Sequence, residues 1–309
     1  MTLVGPFLGL LGVIAFFALV APEGFLSVYN FKTVATQTVI VGLGAIGMTF
    51  VIVSGGIDLS IGSVIALSSV ACALSLRAGQ PPVAAALLGV LTGMICGFVN
   101  GLLVTTLRII PFIVTLGMLG AARGLAKWLA GEQKIDAPAG WLADVMTKAP
   151  EPAWLTVSPG VWVMAALAAL AAIVLRRTIF GIYTFAIGSS EATAVLCGVP
   201  VRRTKIQIYT LCGLFAGLAG VLQFGRLTVG DPTTAMGKEL DVIAAVVIGG
   251  ASLNGGSGTI LGSMVGAFLM SFLANGCNLA GVPNYVQEIL IGVIIVAAVA
   301  LDSLRQRKK

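Results

Sequence analysis

RRTIFGIYTFAIGSSEATAVLCGVPVRRTK, residues 176–205, carries five of the 18 Lys and Arg residues of this chain around a short amphipathic segment. Almost everything around it is apolar. The 309 residues are 58% hydrophobic and only 10% charged, with a mean hydropathy of +1.06. A soluble chain carries about a quarter charged residues. Runs of about 18 or more apolar residues recur, each long enough to cross roughly 30 Å of hydrocarbon. The expected fold is therefore an all-α polytopic membrane protein, one transmembrane domain over 1–309 with a cytoplasmic loop at 176–205. A membrane chain that gathers scarce charge on one internal loop docks something there. This points to a channel or transporter subunit driven by a partner, and away from an enzyme.

Ten candidate spans follow: about 4–21, 34–54, 59–76, 83–106, 109–130, 160–175, 206–224, 240–253, 258–276 and 285–301. The eighth is short and suits a broken or re-entrant element. The runs do not alternate apolar with polar, as a β-barrel requires. No basic region precedes the first run, which reads as a span and not as a cleaved signal.

Orientation comes from the basic residues. With the N-terminus inside, the cytoplasmic segments hold ten of them: Arg108, Arg176, Arg177, Arg202, Arg203, Lys205, Arg305, Arg307, Lys308 and Lys309. The outer segments hold six: Lys32, Arg77, Lys134, Lys148, Arg226 and Lys238. This bias places both termini in the cytoplasm. It accounts for the net charge of +6 without a nucleic-acid partner. Most acidic residues fall outside, among them Glu23, Glu132, Asp136, Asp144, Glu151, Asp231, Glu239 and Asp241. The long outer loop 131–159 holds Pro138, Pro150, Pro152, Pro159, Trp141 and Trp154. It suits an anchor at the lipid–water boundary or a contact for an external partner.

There is no His, and Cys72, Cys96, Cys197, Cys212 and Cys277 show no CxxC pairing, so no zinc site is expected. No GxxxxGK[ST] loop, nucleophile elbow or paired-carboxylate set occurs. Any energy for active transport must come from another polypeptide.

Two glycine patterns bear on packing. Gly55-Gly56-x-x-Leu59-x-x-Gly62-Ser63 recurs as Gly249-Gly250-x-x-Leu253-x-x-Gly256-Ser257. Gly89, Gly93, Gly97 and Gly101 fall at intervals of four, a smooth stripe that lets a neighbouring backbone approach closely. Gly258, Gly262 and Gly266 repeat the device, and Gly213 with Gly217 does so more briefly.

Polar groups at membrane depth need a partner or a wet cavity. Asp58 reads as a cap on the third span, beside Ser60 and Ser63, or as a gate. Gln37, Thr38, Asn100, Gln223, Asn254, Asn275 and Asn278 are uncharged hydrogen-bonding groups near spans. They suit interhelical bonds or the route of a neutral polyol. Asp58, Ser60, Ser63, Asn100, Gln223, Asn254 and Ser257 form the candidate gate and pathway set. Deep carboxylates are nearly absent, with Glu288 only at the start of the last span, which counts against ion coupling.

Four blocks then carry a resemblance: GGIDLSIGS (55–63), AIGSSEATAVLCGVPVRRTKI (186–206), ELDVIAAVVIGGASLNGGSGTILGS (239–263) and NGCNLAGV (275–282). Together, in order from about residue 35 to 301, the chain resembles the ribose/xylose/arabinose-type permeases of bacterial ABC importers. The resemblance implies a type II ABC-importer-like permease in the cytoplasmic (inner) membrane, with ten spans. It also implies three partners: a tandem-domain ABC ATPase, a periplasmic sugar-binding protein and a second permease copy. ATP and Mg would be bound by the ATPase, with no cofactor in this chain. The family's coupling loop matches Gly188, Ser189, Glu191, Ala192, Gly198, Val199, Arg202 and Arg203; Ser190 stands where the family often has Asn.

Local chemistry agrees with that loop. Residues 189–197 are expected to form a short helix with Ser189 or Ser190 as N-cap and Glu191 in its first turn. Gly198 would end it and Pro200 would prevent resumption. Arg202 and Arg203 suit anionic headgroups. The expected function is import of a monosaccharide by alternating access at a dimer interface. The rival is an ion-coupled secondary sugar carrier acting alone.

Overall fold

The computed structural model describes residues 4–21, 24–147 and 156–306. Glu23, Lys148, Pro150, Glu151, Pro152, Trp154, Arg307, Lys308 and Lys309 lie outside the described residues. All ten apolar stretches are helical. They are α1 (Val4–Val20), α2 (Val28–Val53), α3 (Ile61–Arg77), α4 (Pro82–Thr106), α5 (Pro111–Ala130), α7 (Pro159–Arg177), α10 (Val201–Leu227), α11 (Lys238–Ile248), α12 (Ile260–Leu279) and α13 (Asn284–Gln306). Three short helices lie in the connections: α6 (Trp141–Val145), α8 (Ile179–Ser189) and α9 (Glu191–Leu196). By length and composition six are able to cross a membrane: α2, α4, α5, α7, α10 and α12.

Sequence punctuation sets the helix starts. Proline occupies the first turn of α4, α5 and α7, where its missing N–H costs nothing. Ser27 Oγ accepts from Asn30 N to cap α2, and Thr259 Oγ1 accepts from Gly262 N to cap α12.

Burial sorts centre from rim. In α2, 94% of the apolar window is buried, against 28% in α4 and 22% in α5 and in α7. α2 is thus the hub, enclosed by α10, α11, α12 and α7. The rim helices keep one face inward and turn Leu87, Leu91, Ile95 and Phe98 of α4, for example, outward. Two side-chain bonds tie α2 to α12: Asn30 Nδ2 donates to Asn275 Oδ1 at 2.9 Å, and Thr49 Oγ1 to Ser263 Oγ at 2.8 Å. Such interhelical bonds contribute about 0.6 kcal/mol each.

α4 lays its glycine face on α10. A methyl at Gly93 would overlap the Gly213 carbonyl, and one at Gly97 the Tyr209 carbonyl. At Gly101 it would stand 2.8 Å from Ile206 Cα, and at Gly89 2.7 Å from Val221 Cγ2 of α10 and 3.0 Å from the Ser68 carbonyl oxygen of α3. α12 meets α11 likewise, Gly262 against the Gly249 carbonyl and Gly266 against that of Ala245.

The eighth stretch departs from a full span. α11 has 11 residues, so it rises only about 16 Å. Backbone from 249 to 259 then continues without helix, bonded internally and to α2: Ser252 N to Ser257 O at 3.1 Å, Gly256 N to Val53 O at 2.9 Å. Irregular backbone inside a bundle demands such internal partners.

At the opposite end of the bundle, β1 (Ile135–Asp136) pairs antiparallel with β2 (Val229–Gly230), joining loops the sequence leaves separate. Lys134 Nζ lies 3.5 Å from Asp231 Oδ2 beside this clasp. Burial pushes the Asp231 carboxyl up, but bonds from the Thr233 hydroxyl and amide, with the Lys134 charge, hold it below its usual range. Arg123 of α5 adds bonds to the carbonyls of Pro232 and Thr234, both at 2.8 Å. In the 131–159 loop Trp141 is 47% exposed, as an interfacial aromatic would be.

Candidate functional site

Much of the loop expected over 176–205 is helical. Arg176 and Arg177 close α7, and Thr178 caps α8 through a 3.3 Å bond from Gly181 N. Residues 201–205 already belong to α10. The non-helical chain within 176–205 is confined to Thr178, Ser190 and 197–200.

α9 is built by its ends. Ser190 caps it, accepting from Thr193 N at 3.3 Å; Ser189 is instead the last residue of α8. At the other end Gly198 adopts φ 78°, its N–H bonding to Val195 O and the Val199 N–H to Ala194 O, both at 3.0 Å. These two bonds make a Schellman closure that needs the left-handed glycine. Pro200 follows and serves as N-cap of α10. Glu191 Oε2 accepts from Lys205 Nζ at 2.7 Å, clamping α9 onto the first turns of α10. Lys205 is the partner that sequence reasoning missed; the two are 14 residues apart and meet only because the chain reverses at Gly198. Arg202 Nη2 reaches Thr106 Oγ1 at 3.3 Å, linking α10 to the end of α4. Arg203 is exposed. Only Ala194 of α9 is buried, while Val195 is 56% and Leu196 87% exposed beside exposed Ala192.

Behind α9, three backbones meet. A methyl at Gly188 would overlap the Val53 carbonyl and stand 2.5 Å from Gly256 N. One at Gly255 would stand 3.0 Å from Gly55 Cα, and one at Gly256 2.7 Å from Ser189 Oγ. The two copies of the Gly-Gly pattern therefore touch each other and the end of α8. Asn254 and Ser257 sit in this junction: Asn254 O faces Gly55, and Ser257 O accepts from Ser252 N.

Asp58 lies just beyond. It does not cap α3 directly, because the N-cap is Ser60; its Oδ1 accepts from Ser60 N at 2.8 Å and Ser60 Oγ at 2.6 Å. Asn100 Nδ2 of α4 donates to Ser60 Oγ at 3.1 Å. Asp58, Ser60 and Asn100 are 2%, 0% and 0% exposed, so this carboxylate is fully withdrawn from water. Asn100 Oδ1 and the Tyr209 hydroxyl are buried nearby without a partner among the described residues. Ser63 is buried in the first turn of α3 and makes no bond to Asp58. Gln223 stands apart from this group. It lies 14 residues along α10 from Tyr209, about 21 Å away, and donates to Thr234 Oγ1 at 2.8 Å. The expected pathway residues thus divide between the two ends of the bundle.

A bundle of apolar helices with a buried polar cluster and one small exposed helix at a three-way backbone junction is that of a multi-pass membrane protein, and its relatives are permeases, components of transport systems. The chain belongs to the family described as permease components of branched-chain amino acid transport systems, matched over residues 30–299. It is 39% identical over 310 residues to the ribose import permease of Bacillus subtilis (strain 168), covering 96% of this chain and 92% of that one. The L-arabinose ABC transporter permease of Azospirillum brasilense is 34% identical, covering 94% and 85%. The fructose import permease of Rhizobium meliloti is 36% identical, covering 94% and 82%. No solved structure matches the chain. Membership implies an ATPase and a solute-binding protein as partners in general terms, and favours a transport component of this kind over a carrier acting alone.

Proposed function

We propose that this chain is the membrane-spanning permease subunit of an ATP-driven importer for a ribose-like monosaccharide, a pentose or hexose. It crosses the cytoplasmic membrane ten times, with both termini inside, as a single domain. A tandem-domain ATPase binds ATP and Mg, a periplasmic protein delivers the sugar, and a second permease copy completes the path. The observation that carries this reading is the relationship, over 94–96% of the chain, to import permeases for ribose, L-arabinose and fructose.

Residues 186–203 act as the mechanical handle. Exposed Val195 and Leu196 supply an apolar tip for a cleft in the ATPase, and Glu191, Lys205 and the Gly198 closure keep that tip rigid. Gly188 and Ser189 bear on Val53 and Gly256, so displacement of α9 passes directly to the hub helix α2 and the 249–259 loop. A two-state shift of such packed elements is the usual form of gating. Asp58, Ser60 and Asn100 form the gate on that side, where Tyr209 and Asn100 hold spare hydrogen-bonding capacity for a second arrangement. The test replaces Glu191 and Gly198 with Ala and measures sugar uptake together with ATPase co-purification. Both should fall; wild-type values for both reject the lever.

A further inference from the structure

Asp58, in the turn between α2 and α3, is a buried carboxyl group with no cation to answer it. The titratable groups that face it are Cys96 of α4 and Tyr209 and Cys212 of α10. Glu239 of α11 comes next, its buried and unpartnered Oε2 against Gly62, four residues along the chain from Asp58. Every one of these groups is neutral or acidic. Arg123 of α5 is turned elsewhere: it faces Glu239 and Asp231 and donates to the carbonyls of Pro232 and Thr234. α2 adds only the apolar run Phe50–Val53 before the turn. An ionised carboxylate here would stand dry and uncompensated, and that cost exceeds what the N-terminus of α3 returns.

The hydrogen bonds agree with a neutral acid. Both Ser60 bonds fall on one oxygen, Oδ1, which accepts two as the carbonyl of a carboxylic acid. Two oxygens in the same cluster wait for a donor. Asn100 Oδ1 accepts nothing, although Asn100 faces the carboxyl, and the Tyr209 hydroxyl also lacks a partner among the described residues. A methyl at Gly56, two residues before Asp58, would overlap that hydroxyl. A buried acceptor left empty is costly, and an acid proton is the donor it needs. A metal ion fits less well, because Asn100 and the Cys212 thiol already meet the carboxyl as donors.

We infer that Asp58 is a proton-binding site: in this arrangement it is a neutral acid with its proton on Oδ2, and the proton leaves when the gate opens to water. Only the O–H bond breaks; water takes the proton and the carboxylate keeps the electron pair. The second half rests on the proposed gate, whereas the first stands on the cluster alone. The buried acid holds its proton more tightly than a hydrated one. Alkaline pH therefore favours the open gate and acid pH the closed one.

The test uses the whole importer purified in its native lipids. Infrared difference spectra between wild type and Asp58→Asn are taken from about pH 6 to about pH 9, well above the ordinary aspartate range near 4. Expected is the carbonyl stretch of a neutral carboxylic acid in wild type, absent from the variant. A difference confined to the bands of an ionised carboxylate overturns the site. Should Asp58→Asn fail to assemble, Asn100→Leu and Tyr209→Phe decide: loss of the proton's acceptor shifts the stretch in at least one of them, and an unshifted stretch in both overturns the site. Labelled D-ribose uptake then tests the release. Asp58→Asn is nearly isosteric and always neutral, so its uptake relative to wild type should fall at least threefold across the same pH range. Taking this ratio cancels the pH dependence of the ATPase. A constant ratio overturns release on opening. Failure of the Glu191 and Gly198 lever would remove the gate and leave the infrared band in place, so the two failures are distinguishable.

Discussion

Gly198 and Gly188 serve one small helix in opposite ways. At Gly198 the constraint is conformational: a φ of 78° is free for glycine and strained for an L side chain. Open space surrounds the position. Gly198→Ala should therefore cost about 1 kcal/mol, felt locally as fraying of α9. Uptake should fall severalfold with the global unfolding temperature nearly unchanged, which thermal melting of the purified complex checks. At Gly188 the constraint is contact: alanine there drives into the Val53 carbonyl, a backbone atom that no rotamer change relieves. Gly188→Ala should displace α8 and sever α9 from α2, so ATP hydrolysis continues while uptake is lost. Paired assays of hydrolysis and uptake in proteoliposomes read this directly. The Glu191–Lys205 pair is 54% and 16% exposed, and such pairs add at most about 1 kcal/mol. Glu191→Gln should leave stability alone and lower ATPase retention.

At the scale of elements, the α4–α10 contact is made by absent side chains. Backbone approach this close replaces the hydrophobic drive that lipid removes. Gly97→Ala should cost about 1–3 kcal/mol by overpacking. Gly292→Ala, in α13 with nothing near it, should be neutral or stabilising by up to about 1 kcal/mol. Denaturation of the two purified variants side by side gives the comparison. The four-residue spacing of these glycines was readable in the sequence, but their partner Gly213 was not, since spacing on one helix says nothing about which neighbour fills the groove. The helices themselves were legible because hydrocarbon demands long apolar runs. α8 was missed for a related reason: its 11 residues are too few for a span, and the basic clusters at 176–177 and 202–205 made the whole interval read as loop. The meeting of Gly55 with Gly255, like that of Ser60 with Asn100, is tertiary and left no local signature. Nor did the separation of Gln223 from the other pathway residues, because depth in the bundle depends on the direction of each helix.

For the whole molecule, the division of labour between its two ends is the central point. One end carries the exposed helix α9, joined through glycine contacts to the hub helix; the other carries a polar cavity beside a small β clasp. Topology is open to a direct check through the native thiols. Among the five cysteines, Cys197 is exposed and the other four are buried. A membrane-impermeant maleimide should label Cys197 in inside-out vesicles and spare the chain in right-side-out ones. The reverse pattern would invert the proposed orientation. The most direct measurement of the account is ribose accumulation in proteoliposomes containing this chain, with and without its ATPase, binding protein and ATP. Uphill accumulation only when all three are supplied is the expected result. Accumulation against a gradient by this chain alone would contradict the account.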